Sequence, residues 1–206
     1  MSISFNIHAN SIDIMMEELT KEPYKSDSDK FIEYVINNKL IGVNDSDGHT
    51  PLFVAAINNQ LKTLDYLIEN GSNINHVDKS GFNILFFADL YKIETAKYLV
   101  RNGIDLNAVS IVGHTPLTTC AISKNTKFCL WLLEQSNLKN INSMTKKGST
   151  ALYFASATGN LSLVKFLHKR GANLNLGKDN LKPLNGAMRG KHSEVYKYLL
   201  SQGAER

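Results

Sequence analysis

Proline and glycine are scarce, at 4 and 13 residues in a chain of 206, which excludes collagen-like and linker-dominated chains. No apolar run approaches the roughly 20 residues that a membrane-crossing helix needs. The first 18 residues lack a basic start and carry Asp13, Glu17 and Glu18, so neither a secretory signal nor an Arg-rich transit peptide is expected. Only two cysteines occur, Cys120 and Cys129, too few for a disulfide framework; without a signal they suit a reducing cytosol. Charge of one sign is lacking overall: the formal net charge is +4, too little by itself to imply nucleic acid. With 43% hydrophobic and 20% charged residues, the composition is that of a soluble globular protein.

The charge is unevenly spread. Residues 1–103 hold 9 Lys/Arg and 14 Asp/Glu, whereas residues 104–206 hold 14 and 5, so the halves carry −5 and +9. A stronger regularity is internal repetition. Gly48-His49-Thr50-Pro51-Leu52, Gly81-Phe82-Asn83-Ile84-Leu85, Gly113-His114-Thr115-Pro116-Leu117 and Gly148-Ser149-Thr150-Ala151-Leu152 align, with a weaker fifth copy at Asn180-Leu181-Lys182-Pro183-Leu184. The successive spacings are 33, 32, 35 and 32 residues. Small residues follow each start: Ala55-Ala56, Ala88, Cys120-Ala121, Ala155-Ser156 and Ala187. A second apolar stretch comes next, and most copies close on glycine and then asparagine, as in Gly71/Asn75, Gly103/Asn107 and Gly171/Asn175.

These columns describe a helix–turn–helix. Thr50-Pro51 and Thr115-Pro116 place a side-chain acceptor at the N-cap and proline at the first helical position, where no N–H is needed. The leading glycines suit a turn with positive φ, a role Asn180 can also take. Leu163, Phe166 and Leu167 recur at helical spacing in the second helix, and the closing glycines stop it.

The columns resemble the ankyrin repeat, whose core reads roughly G-x-T-P-L-H-x-A-A…L-L…G-A-x-x-N. The resemblance covers about residues 45–206 as five units: 45–77, 78–109, 110–144, 145–176 and 177–206. It implies an all-α ankyrin-repeat solenoid of stacked helix–turn–helix units with β-turn fingers, in which neighbours supply each unit's core. Residues 1–44 are expected to form a divergent N-terminal capping repeat, with helical stretches at 12–19 and 29–38. The family's histidine after Pro-Leu is replaced throughout, by Phe53, Phe86, Thr118, Tyr153 and Asn185. Unit two has one residue fewer between its helices, near Asp89 and Leu90. Unit three ends on Ser136 with about two extra residues before Asn142, which predicts a bend or loosening before unit four. Lys182 is a poor N-cap.

Motifs for chemistry are sparse. Cys120 and Cys129 fall in core columns and are expected to be buried free thiols acting as small hydrophobes. There is no C-x-x-C or H-E-x-x-H and no G-x-S-x-G. The six histidines are scattered; His192 matches the turn before a second helix and reads as structural. No catalytic, cofactor or metal residue is expected, and an enzyme ranks last among the functions considered.

In ankyrin-like proteins partners bind the finger tips and the adjoining inner-helix surface, the concave face. Carried over by position, the partner-binding candidates are Asp47, His49, Phe82, Val109, Ile111, Val112, His114, Ile122, Lys146, Lys147, Lys178 and Arg189. Phe82, Val109, Ile111, Val112 and Ile122 would form an apolar patch between acidic and basic rims; alternatively Val109 and Val112 pack against neighbouring fingers. The leading function is a non-enzymatic protein-binding module, monomeric alone, acting in the cytoplasm of its own or a host cell. Frequent Asn, Ile and Lys suggest an AT-rich genome and so a bacterial effector or an antitoxin-like immunity protein that blocks a toxin or enzyme. The remaining alternative is an anionic-surface or nucleic-acid binder acting through the +9 half.

Overall fold

The computed structural model describes residues 3–90 and 92–205, and these form helices and turns with no β-strand among them. The chain divides into two compact units, Met1–Asp105 and Leu106–Arg206.

The first unit contains α1 (Ile3–Glu18), α2 (Ser28–Asn37), α3 (Pro51–Ile57), α4 (Leu61–Glu69), a 3-10 turn (Ile84–Phe87) and α5 (Ile93–Arg101). The amphipathic stretch expected at 12–19 is the second half of the longer α1. The Asp27 carboxylate starts α2 by accepting from the N–H groups of Asp29 and Lys30 at 3.0 and 3.1 Å, a favoured N-cap arrangement. α1 and the loop after it are tied to the next hairpin. Ser46 N–H donates to Asp13 Oδ1 at 2.6 Å, Asn58 Nδ2 to the Leu19 carbonyl at 3.0 Å, and Gln60 Nε2 to the Tyr24 carbonyl at 2.6 Å. The residue missing from the second repeat has a visible consequence: its inner helix is cut to the single 3-10 turn, capped by Asn83 Oδ1 accepting from Leu85 N–H at 3.1 Å.

The second unit comprises α6 (Pro116–Ser123), α7 (Thr126–Leu133), α8 (Ala151–Ala157), α9 (Leu161–Lys169), a 3-10 turn (Asp179–Leu181), α10 (Pro183–Arg189) and α11 (Ser193–Ser201). Thr115 and Thr118 close a reciprocal cap on α6, with Thr115 N–H donating to Thr118 Oγ1 at 2.8 Å and Thr118 N–H to Thr115 Oγ1 at 3.2 Å. That is what threonine does in the column where the family has histidine. The inner helices α6, α8 and α10 stack through Ala121, Ala155 and Ala187, all buried. Their approach is close enough that a Cβ on Gly186 would lie 2.8 Å from the Tyr153 carbonyl oxygen. The outer helices bury Leu132, Leu167 and Leu199. Each of these apolar faces is covered only by its neighbours, the condition that makes repeats interdependent.

The closing asparagines couple successive loops. Asn75 Oδ1 accepts from Asp105 N–H at 2.7 Å in the first unit. In the second, Asn107, Asn142 and Asn175 accept from Lys139, Asn173 and Glu205 N–H, each at 2.8 Å. The irregular end of repeat three therefore does not loosen the join to repeat four, contrary to expectation. Asn107 spans the longer loop, Thr158 Oγ1 donates to the Ala121 carbonyl at 3.4 Å, and Lys146 N–H donates to the Val112 carbonyl at 3.0 Å. This last bond brings the two fingers so close that a Cβ on Gly113, at φ +83°, would sit 2.8 Å from Lys146 N.

Two expectations need correction. Cys120 and Cys129 are not free thiols: they form a disulfide joining α6 to α7, with 5.7 Å between Cα atoms, inside the range a disulfide bridges. The two core columns they occupy face each other across the hairpin, and each cysteine is buried. Asn180 does not replace the turn glycine, since its φ is −83°. The fifth finger instead turns at Asp179, φ +46°, and Lys182 caps α10 without a side-chain bond.

Candidate functional site

Each of the first four fingers is anchored by the residue at its start, whose side chain accepts from the backbone of the residue four later. In the first unit the anchor is aspartate. Asp45 Oδ1 accepts from His49 N–H at 2.8 Å, and Asp78 Oδ1 from Phe82 N–H at 2.9 Å. In the second unit it is a hydroxyl: Ser110 Oγ accepts from His114 N–H at 3.0 Å, and Thr145 Oγ1 from Ser149 N–H at 3.1 Å. Both chemistries hold the same turn, because the backbone needs only an acceptor. The carboxylate adds a charge that the turn itself does not require.

The two units differ again behind their fingers. In the first, aromatic rings pack against one another. His49 stacks on Phe53 at 4.3 Å between centroids, Phe53 meets the Phe87 edge at 4.8 Å, and Phe82 stacks on Phe86 at 4.7 Å. His49 also faces the Asp45 carboxylate at 3.3 Å. Phe82 is thus half-buried within its own unit, while Asp47 stands exposed at the finger tip.

In the second unit the corresponding space is an open groove of about 480 Å³. Its lining includes His114 and Val112 from the third finger, Ile122 from α6, Tyr153 and Phe154 from α8, Lys146 and Lys147 from the fourth finger, and Leu181 from the fifth. The groove therefore collects five of the sequence candidates (Val112, His114, Ile122, Lys146 and Lys147). Ile122 is 42% exposed, an apolar side chain held open to water at the mouth. His114 lies 5.8 Å from the Phe154 ring and 3.2 Å from Thr118 Oγ1. Burial pushes its imidazole below the usual histidine range. Arg189 Nη1 donates to the Tyr153 hydroxyl at 3.4 Å, placing a guanidinium beside the floor. Lys178 is exposed, and its side chain runs over Gly148.

Val109 and Ile111 are exposed, at 56% and 58%, and do not line the groove. Val112 is likewise exposed, so this finger carries an unusually apolar tip. Among the lining residues outside the sequence candidates are Leu181 and, supplying the aromatic floor, Tyr153 and Phe154; Tyr153 occupies the column the family gives to histidine. His192 serves as expected for a structural residue, with Nε2 3.1 Å from the Ala157 carbonyl oxygen of the preceding repeat. Among the described residues no group of three His, Cys, Asp or Glu side chains is placed to hold a metal ion, and no helix is long and apolar enough to cross a membrane.

Stacked helix hairpins with capped turn fingers define a repeat protein whose surface is built from recurring positions. Residues 24–110 and 117–205 match the family model described as ankyrin repeats (three copies), and the chain belongs to the ankyrin-repeat family. Alpha-latrocrustotoxin-Lt1a of Latrodectus tredecimguttatus is 30% identical over 169 residues, 80% of this chain and 9% of the toxin. The Notch-regulated ankyrin repeat-containing proteins of Xenopus tropicalis and Homo sapiens are 39% identical over 64 residues, 31% of this chain and 56% of theirs. The chain thus spans less than two thirds of the length of each of these relatives. Ankyrin repeats generally mediate protein–protein interaction, and the family is typically non-enzymatic.

Proposed function

We propose that this chain binds a partner protein through the groove of its second unit, as a preformed surface and without catalysis. The observation that carries the reading is the groove itself: an aromatic and aliphatic floor from three successive repeats, open to water where the first unit packs its own rings. A rigid surface of this kind loses little conformational entropy on association, and a central apolar anchor with a charged rim is the usual anatomy of an energetically useful contact. The exposed Val109, Ile111 and Val112 tip extends the apolar area beside it.

The test is capture from a native lysate with the wild-type chain and with Ile122→Asp, identified by mass spectrometry. A protein retained by the wild type and lost with the variant, at an unchanged thermal midpoint, supports the reading; equal retention by both contradicts it. Scaffold and inhibitor make the same contact, and they separate on whether a captured enzyme or toxin loses its activity in a 1:1 complex. The excess of Lys and Arg in residues 104–206 favours a second reading, attachment to an anionic polymer, whose signature is steep weakening with salt.

A further inference from the structure

The groove has a charge preference that the fold does not require. Its finger anchors are Ser110 and Thr145, whereas the same backbone task falls to Asp45 and Asp78 in the first unit. Hydroxyls therefore leave the third and fourth fingers without the anchoring carboxylates that the first two carry. Lys146 and Lys147 lie in the lining and are exposed, and neither forms an ion pair with a carboxylate among the described residues. Among the described residues the Arg189 guanidinium reaches the Tyr153 hydroxyl and forms no ion pair. The one carboxylate of the fifth finger, Asp179, is next in sequence to Lys178. Cations left unpaired around an apolar floor attract a ligand that brings both an apolar group and negative charge.

We propose that the groove selects an acidic peptide segment bearing one bulky apolar side chain. That side chain enters between Ile122, Tyr153, Phe154 and Leu181, and neighbouring Asp or Glu carboxylates pair with Lys146 and Lys147. This rests on the binding role proposed above and adds the chemistry of the partner. Burial of the apolar side chain supplies affinity, while the exposed lysines supply orientation and selection against basic segments. A duplex nucleic acid satisfies the lysines but leaves the apolar floor empty, and so uses half of the site.

The probes are three fluorescein-labelled ten-residue peptides, titrated against the full chain by fluorescence anisotropy. One is rich in Glu and Asp with a single central Phe; the second replaces Phe with Ser; the third keeps Phe and replaces the acids with Lys. The first is expected to bind at least tenfold tighter than either of the others. The double variant Lys146→Glu, Lys147→Glu is expected to erase that preference, and Ile122→Asp to weaken the first peptide at least tenfold, with circular dichroism unchanged for both. Equal binding of all three peptides, abolished by Ile122→Asp, overturns the charge selection and leaves the groove as a binding site. Acidic-peptide binding untouched by Ile122→Asp overturns the groove reading itself. Absence of peptide binding, or tighter binding of a 20-base-pair DNA duplex that competes at the same lysines, also overturns the inference.

Discussion

The side chain of Asn142 holds the loop that carries Asn173: its Oδ1 accepts from the Asn173 N–H at 2.8 Å, and its Nδ2 donates to the neighbouring Gly171 carbonyl at 3.2 Å. One amide thus satisfies a donor and an acceptor in the loop that closes the next repeat, and the pattern recurs at Asn75 and Asn107. The asparagine column of the sequence is a row of inter-repeat clamps.

Asn142→Ala removes both bonds and is expected to destabilise the second unit by about 1–2 kcal/mol. Trp131, the single tryptophan, lies on α7, so its fluorescence during urea unfolding reports that unit. Asn142→Asp keeps the acceptor and loses the donor, and should fall between wild type and alanine. No change in midpoint for the alanine variant contradicts the clamp.

Leu167 is wholly buried on α9, and Leu167→Ala should cost about 2–5 kcal/mol through the cavity it leaves. Ile122→Asp, at an exposed site, should leave the same Trp131 transition within about 0.5 kcal/mol. Reversal of that order places Ile122 in the core and removes the groove.

The Cys120–Cys129 disulfide closes a short loop between α6 and α7, so its reduction should lower the Trp131-reported stability by about 2–3 kcal/mol. Thiol titration of the unreduced, denatured chain is expected to find no free thiol. Two titratable thiols restore the free-cysteine reading and contradict the bridge.

His114 is held neutral by burial, its folded pKa lying below the unfolded value. In such a case the unfolded chain takes up protons first on acidification, so the stability due to this group is present above about pH 6.5 and declines as pH falls below it. His114→Gln removes that contribution. Between pH 7.5 and 5.5 the variant's thermal midpoint should fall less than that of the wild type; parallel falls show that the imidazole is solvated alike in both states.

Much of this was written in recurring columns. The caps at Thr50 and Thr115, the buried small residues of the inner helices and the glycines that end the outer ones each follow from a local backbone demand that repeats every 32 to 35 residues. Pairings across a hairpin were harder to read. Their columns put Cys120 and Cys129 in the core, where both are buried, yet their meeting depends on how two columns face each other. The groove was hardest, because Ile122, Tyr153 and Leu181 come from three repeats. Whether such positions enclose an open space depends on ring packing, and in the first unit His49, Phe53 and Phe87 pack on one another. The fifth finger misled because its turn moved from the Asn180 column to Asp179.

Hydrogen exchange of the chain, free and bound to the protein it captures, tests the central claim most directly. Binding through the second unit's groove predicts slowed exchange in residues 112–122 and 145–154, with the outer helices α9 and α11 unchanged. Protection confined to those outer helices, or to the aromatic-filled fingers of the first unit, contradicts it.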